Sequence, residues 1–394
     1  MPEHILLLLI TGCFMLQPIS TDLYLASLPH LVTEFQVTPA VVAQTLSLFT
    51  IGFGVAQLIS GPLSDRFGRR PILLGGLGIY IVASLACALS PSITLLIAAR
   101  FLQAVGCCTG LVVSRAVIRD CYTPAEGAQR IARVSNYMGY AVISGPIVGA
   151  QLQAHFGWRA AFVLHALLSA ATLVFAWHSL EETNRNKNPA ATALPPLLKT
   201  YLDVARTPAF WAYALAGSLG YGTIFVFISG ASFGFIKVLG ISTANYGYCF
   251  SLGCAGYLSG SFLCRRLLPR IGMEKTVDVG AKLMLAAGLS FLLTTAAGIQ
   301  HWLLLILFQF GCMFSHGLIF PAAQAGSIAP FPQKAGAAAG FFGAFSIFGA
   351  LVVANWIGIS LDGTLWPLAK ICFVMSLLLV VSVKLSARYS RIAR

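Results

Sequence analysis

The chain has 394 residues, of which 58% are hydrophobic and 9% charged, and its mean hydropathy is +0.83. A soluble globular domain carries about 25% charged residues, so a water-soluble fold with a large core is excluded. The 25 basic residues outnumber the 12 acidic ones and leave a net charge of +13, which would also suit a phosphate-binding surface. Where the basic residues lie decides between these readings.

A bilayer core takes about 20 consecutive apolar residues per helix. Taken in chain order, twelve stretches qualify: 5–28, 41–62, 71–89, 94–114, 134–154, 160–178, 209–230, 246–264, 277–297, 302–322, 335–357 and 365–385. The first lacks a basic leader and a small-residue cleavage pattern, so it reads as a retained helix rather than a signal peptide. Short connections hold the turn formers and charges. The long hydrophilic stretch, Glu181 to Arg206, divides the chain into a six-helix half (1–180), a linker (181–207) and a second six-helix half (208–394). The expected fold class is an all-α integral membrane protein.

With the N-terminus in the cytoplasm, 20 of the 25 basic residues fall in cytoplasmic connections or the tail, and Arg159 and Lys237 on the outside. That asymmetry puts both termini in the cytoplasm. The net charge is therefore topological, and nucleic acid is not an expected partner. Most cysteines lie within spans, with no C-x-x-C and no Cys/His pair at zinc spacing, so no metal site or disulfide framework is implied.

Between spans two and three stands Gly61-Pro62-Leu63-Ser64-Asp65-Arg66-Phe67-Gly68-Arg69-Arg70-Pro71. A degenerate copy follows span eight, with Ser259-Gly260, Arg265-Arg266 and Pro269-Arg270-Ile271-Gly272, which keeps Arg-x-Gly but not the aspartate. The first loop resembles the G-x-L-a-D-r-x-G-r-r motif of the major facilitator superfamily. Arg100-Phe101-Leu102-Gln103-Ala104-Val105-Gly106 resembles its R-x-x-Q-G-x-G motif, with Ala104 in place of a glycine. Gly139, Gly145-Pro146 and Gly149 resemble its antiporter motif, with Ala150 in place of the last glycine. Ser20-Thr21-Asp22-Leu23-Tyr24 through Pro29, with Arg119-Asp120-Cys121-Tyr122, is similar to the bicyclomycin/chloramphenicol-resistance (Bcr/CflA) drug exporters. Thr207-Pro208-Ala209-Phe210-Trp211 and Phe225-Val226-Phe227 look similar to phenicol-exporting members.

Asp22 is the acidic residue well inside a span, where a carboxylate costs at least ~2.5 kcal/mol. It lies about seven residues, roughly 10 Å, from the outer end of span one, and Arg100 falls at a similar depth in span four. Burial favours a neutral carboxyl and a nearby arginine an ionised one, so small changes in access can load and release a proton. A structural aspartate near a helix end, and a structural arginine, are the plainer alternatives. The resemblance implies proton coupling at Asp22 and Arg100.

Asp65 can accept from backbone N–H groups at a helix start, worth ~0.3–2 kcal/mol. The resemblance names span eleven, beginning near Lys334-Ala335-Gly336, as its acceptor. With Gly61 and Gly68 allowing close approach and tight turning, Asp65, Arg66, Arg69 and Arg70 form an expected gating loop, unless the arginines are only topological anchors. Gly139, Gly145, Pro146 and Gly149 permit close helix packing, and the resemblance adds that such a motif marks antiporters.

Transporter sites lie near the midplane and drug-sized pockets are mostly apolar. Substrate-binding candidates at helical spacing are Met15 and Ile19 with Asp22, Asn136 and Tyr140, and Ser218, Tyr221 and Phe225. Gln309 and His316 are further polar candidates, with an interhelical hydrogen bond as their expected role. Lys282 is expected to pair with Asp278, and Lys370 to lie beside Trp366.

No H-E-x-x-H, paired carboxylates, Ser/His dyad or nucleotide-binding loop occurs, so the chain is not expected to be an enzyme or to use ATP. The resulting expectation is a monomeric, multi-pass protein of the bacterial inner membrane that exports small amphipathic drugs, of phenicol or bicyclomycin type, against protons and without a cofactor. The alternative is a proton symporter importing a small metabolite.

Overall fold

The computed structural model describes residues 3–185, 187–192, 194–331 and 334–392. Every regular element among them is helical. The first half of the chain forms α1 (Glu3–Asp22), a 3-10 turn (Leu25–Ser27), α2 (Leu28–Glu34), α3 (Pro39–Phe67), α4 (Arg69–Ala88), α5 (Ile93–Cys121), α6 (Pro124–Phe156) and α7 (Arg159–Ser179). The rest forms α8 (Leu194–Ala205), α9 (Pro208–Ser232), α10 (Thr243–Ala296), α11 (Trp302–Ile328), α12 (Ala335–Ser360) and α13 (Trp366–Ile392).

Local chemistry sets several boundaries. Ser92 caps α5 by accepting from the Leu95 N–H. Thr123 and Glu126 form a reciprocal capping box at the start of α6. Gly68, at φ 111 and ψ 157, separates α3 from α4. Gly272, at φ 78 and ψ 173, bends the 54-residue α10 between two of the expected spans. The degenerate second loop therefore keeps its glycine where the backbone needs a left-handed residue.

Ten helices among the described residues are long and apolar enough to cross a membrane, with α10 taken as one. The expected span over 134–154 lies in α6, which is not among the ten. Its residues include Gly139, Ser144, Gly145, Gly149, Gln151 and Gln153, so it is less apolar than its neighbours. Span one also departs from the unbroken helix expected over 5–28: α1 ends at Asp22 and the crossing resumes through the 3-10 turn and α2.

The chain divides into two compact units, Met1–Gln36 with Gln44–Leu197, and Val37–Ala43 with Leu198–Arg394. In each, large apolar side chains face outward, such as Val82 (69% exposed) and Ile359 (75%), while Arg100, Gln103, His165, Gln309 and His316 are buried. Such an inside-out distribution suits a lipid surround, where small residues rather than hydrophobic exclusion bring helices together. In the first unit the backbone of α4 at Gly76 and Tyr80 closes on Gly106 of α5. In the second, Gly256 and Gly260 of α10 meet the backbone of α11 at Phe310 and Phe314.

Candidate functional site

The break in span one organises the candidate site of the first unit. A helix leaves its last four carbonyls without intrahelical partners, and in a membrane each must find one. Arg100 of α5 donates from Nη1 to the Ser20 carbonyl at 3.0 Å, in the last turn of α1. His165 of α7 lies 3.1 Å from the Ile19 carbonyl through Nε2. A carbonyl only accepts, so Nε2 carries the proton and Nδ1 accepts from Gln103 Nε2 at 3.3 Å. Gln103 accepts from Arg100 Nη1 at 2.6 Å and donates to Ser84 at 2.8 Å. Ser20 Oγ is bonded to the Tyr80 hydroxyl at 2.6 Å. Two basic side chains thus close the negative end of α1.

Arg100 has no exposed surface, and its charge is met by aromatic faces rather than by a carboxylate. Its guanidinium carbon lies 4.2 Å from the Phe49 ring centroid, 5.0 Å from Tyr24 and 5.7 Å from Phe162. Its Nε and Nη2 have no hydrogen-bond partner among the described residues. Asp22, expected at the same depth, forms no ion pair with it. Among the described residues no cation lies within 4.0 Å of the Asp22 carboxylate. That carboxylate is buried, accepts from Thr21 Oγ1 at 2.9 Å, and packs against Gly145 of α6. A Cβ on Gly145 would stand 3.1 Å from that of Asp22, and one on Gly149 would overlap the Leu23 carbonyl. Two glycines of the antiporter-like motif, Gly145 and Gly149, therefore lie against the break that carries Asp22. Gly139 and Pro146 are buried on the same helix.

Within the first unit the side chains of the expected gating loop have well-defined partners. Asp65 pairs with Arg69 at 2.6 Å and with Arg119 at 3.6 Å. Arg69 also bonds Asp120 at 2.8 Å and Ser64 at 2.7 Å, which joins the loop to the Arg119-Asp120 motif. The carboxylate that accepts from a helix start here is Glu182, which takes the N–H groups of Arg69 (2.9 Å) and Arg70 (3.2 Å) and stands where a Cβ on Gly68 would fall. Asn184 donates to the Asp65 carbonyl at 2.9 Å and the Asn188 N–H to the same oxygen at 3.0 Å. Arg66 reaches Thr192 at 2.6 Å, and Arg70 reaches the Trp177 carbonyl at 2.9 Å. The first part of the linker is thus bonded across the loop. A cavity of about 950 Å³ lies there, lined in part by Glu3, Asp65, Arg69, Asp120, Glu181 and Glu182. Gly61 makes only an ordinary contact, 3.8 Å from its Cβ position to Val112, so close approach does not explain it.

Met15 and Ile19 are half-buried on α1. Tyr140 is 67% exposed, so its ring packs little within its unit. The side chain of Asn136 lies outside the described residues. In the second unit Ser218 donates to the Phe345 carbonyl at 3.1 Å, tying α9 to α12. Tyr221 and Phe225 form an edge-to-face pair at 5.1 Å, and Tyr221 lies 5.7 Å from His316. Gln309 donates to the Phe250 carbonyl at 3.1 Å, the interhelical bond expected of it. His316, expected to make a similar bond, leaves Nδ1 without a partner among the described residues. Lys282 pairs with Asp278 at 2.6 Å and Lys370 sits 4.9 Å from the Trp366 centroid. No group of three or more metal-ligating side chains forms among the described residues.

Sequence reasoning missed His165, Glu182 and the aromatic faces around Arg100. Only Gln103, inside the R-x-x-Q pattern, carried a local signal.

The family model for the Major Facilitator Superfamily matches residues 10–389. A "Chloramphenicol resistance protein" of Pseudomonas aeruginosa is 29% identical over 373 residues, covering 94% of this chain and 87% of that one. A "Bicyclomycin resistance protein homolog" of Haemophilus influenzae is 26% identical over 374 residues, covering 94% and 92%. The "Multidrug resistance protein MdtL" of Shigella dysenteriae is 26% identical over 373 residues, covering 94% and 93%. Among solved structures, an inward-facing bacterial homolog of the human lysosomal transporter Spinster superposes with a TM-score of 0.76 at 16% identity, covering 98% of this chain and 96% of that one. The xylose transporter XylE from E. coli gives 0.74 at 13%, covering 98% and 97%.

Proposed function

The chain belongs to the major facilitator superfamily, and we propose that within it this multi-pass membrane transporter exports small amphipathic drugs in exchange for protons. We read α10 as two crossings and α6 as one, which makes twelve, with both termini on the basic, cytoplasmic side. The observation that carries the coupling reading is Asp22. Its carboxyl lies buried at the break of span one, held by one hydroxyl, with no cation in contact among the described residues. An intramembrane carboxyl without a counter-charge can exchange a proton with little rearrangement of partners.

Arg100 supports this by a role other than pairing. It holds the Ser20 carbonyl two residues before Asp22 and so fixes where the helix stops. Gly145 and Gly149 let α6 press on the same break, which links protonation of Asp22 to the position of a packed helix. A solute shifts an alternating-access equilibrium only by its difference in affinity between the two states. Protonation from outside would favour one state and drug binding from inside the other.

The names of the relatives support drugs as the cargo, with phenicols and bicyclomycin the first to try. The test is a susceptibility panel in an efflux-deficient host, with chloramphenicol, florfenicol and bicyclomycin. The intact chain is expected to raise at least one inhibitory concentration, and Asp22→Asn at equal protein level to abolish the effect. Uphill uptake of a metabolite with no drug protection would replace the exporter with an importer.

A further inference from the structure

His316 sits on α11 in the second unit, 4% exposed, and its Nδ1 is buried without a hydrogen-bond partner among the described residues. Three rings surround the imidazole. The centroid of Phe320 lies 5.0 Å away, that of Tyr221 5.7 Å and that of Tyr257 5.8 Å. The planes of Tyr221 and Tyr257 are inclined to the imidazole by only 29° and 32°. All three surrounding rings are part-exposed and form an aromatic rim around the buried imidazole.

An unpaired polar atom in a spanning helix is costly, and a phenylalanine would fill the same space without that cost. Ser218 of α9 donates to Phe345 and Gln309 of α11 to Phe250, while the Ser229 and Ser232 hydroxyls of α9 and Gln309 Oε1 share with His316 the lack of a hydrogen-bond partner among the described residues. A glycine stands beside the nitrogen. It is Gly220 of α9, where an added Cβ would stand 3.7 Å from Nδ1 and no closer than 3.5 Å to Ile319.

We propose that His316 is a substrate-contacting residue: its imidazole takes a hydroxyl or N–H of a ring-bearing solute that lies against the Tyr221–Tyr257–Phe320 rim. This rests on the exporter reading and names a residue by which the second unit selects cargo. A flat ring suits the near-parallel tyrosines, and a donor beside that ring suits an imidazole nitrogen.

Chloramphenicol, with a nitrophenyl ring, two hydroxyls and an amide N–H, is the probe. Uptake into proteoliposomes under a pH gradient is measured for the full chain, His316→Phe, Gly220→Ser and Gly220→Ala, with Tm recorded for each. His316→Phe keeps a ring and removes the nitrogens. Gly220→Ser places a hydroxyl within reach of Nδ1, which would occupy it internally, and Gly220→Ala adds the carbon alone. The expected result is a KM raised roughly 3- to 10-fold, the loss of one uncharged hydrogen bond. It is expected in His316→Phe and Gly220→Ser, with Tm unchanged or higher, while Gly220→Ala stays near the parent. An unchanged KM in His316→Phe overturns the proposal. So does a raised KM that comes with a lower Tm, or a Gly220→Ala variant as impaired as Gly220→Ser. Transport of bicyclomycin but not chloramphenicol by the parent overturns this assignment and leaves the exporter standing. Transport of neither, with no drug protection in cells, overturns both.

Discussion

Gly149 of α6 lies with its Cα against the backbone of Leu23, so close that a Cβ would overlap the Leu23 carbonyl oxygen. The contact falls one residue after Asp22, where span one stops being an α-helix. Backbone cannot yield as a flexible side chain can. Gly149→Ala is therefore expected to push α6 off the break, at a cost of about 1–3 kcal/mol, and to abolish drug efflux. Gly61→Ala, whose Cβ would stand 3.8 Å from Val112, is expected to leave both stability and efflux near the parent. Thermal unfolding in detergent with inhibitory concentrations in cells checks the pair.

Arg100 acts on span one through geometry as well as charge. One guanidinium nitrogen serves both the Ser20 carbonyl and Gln103, while the plane lies among three rings. A lysine keeps the charge and loses the planar fork and much of the stacking. Arg100→Lys is expected to lower stability by roughly 1.5–3 kcal/mol, the range of a charged hydrogen bond, and to impair efflux nearly as much as Arg100→Ala. Efflux retained in Arg100→Lys would mean that charge alone matters there.

Glu182 is the carboxylate at the start of α4, and its two backbone bonds place it as a cap supplied from over a hundred residues away. Glu182→Ala is expected to cost about 0.5–2 kcal/mol, the usual worth of a cap. Glu181→Ala, which lines the same cavity, is expected to cost less. Limited proteolysis of the linker should accelerate in the first variant and stay near the parent rate in the second.

A pH effect is expected where Asp203 of α8 meets Lys334 at 2.7 Å, just before α12. The hydrogen bond to Lys334 holds the Asp203 carboxyl below its ordinary value. A carboxyl lowered in the folded state stabilises above its unfolded value, near 3.9, and loses that contribution as pH falls through the folded value. The Tm difference between the parent and Lys334→Ala should thus be constant from about pH 8 to pH 5 and shrink only below about pH 4. Both side chains are about 40% exposed, so the difference should be small and should fall with salt. A difference that closes between pH 7 and pH 6 would point to another group.

Much of this arrangement was legible in the sequence because the bilayer enforces it. The apolar runs and the loop around Asp65 each follow from a local rule. Asp22 stood out because carboxylates are so rare in spans. The partners of these residues did not stand out. Nothing near Asp22 announces that its helix stops there, since Pro18 lies within α1 without ending it. Asp22 and Arg100 share a depth, yet no ion pair forms between them, because the guanidinium turns to the helix end and the rings. In the sequence Glu182 belongs to a polar linker, and a cap contributed from distant sequence leaves no pattern beside the helix it serves. The loop after span eight looked degenerate by its side chains, yet Gly272 repeats the backbone role of Gly68. A left-handed turn is specified by glycine alone, whereas the Asp65–Arg69–Asp120 network needs three residues.

The central claim is that Asp22 carries the coupled proton. The direct measurement is chloramphenicol flux in proteoliposomes, run once under an imposed pH gradient and once as exchange with no gradient, for the parent and Asp22→Asn. The parent should concentrate the drug with the gradient and acidify the compartment from which the drug leaves. Asp22→Asn should keep exchange and lose gradient-driven accumulation. Undiminished accumulation in Asp22→Asn, with protons still moving, would contradict the account.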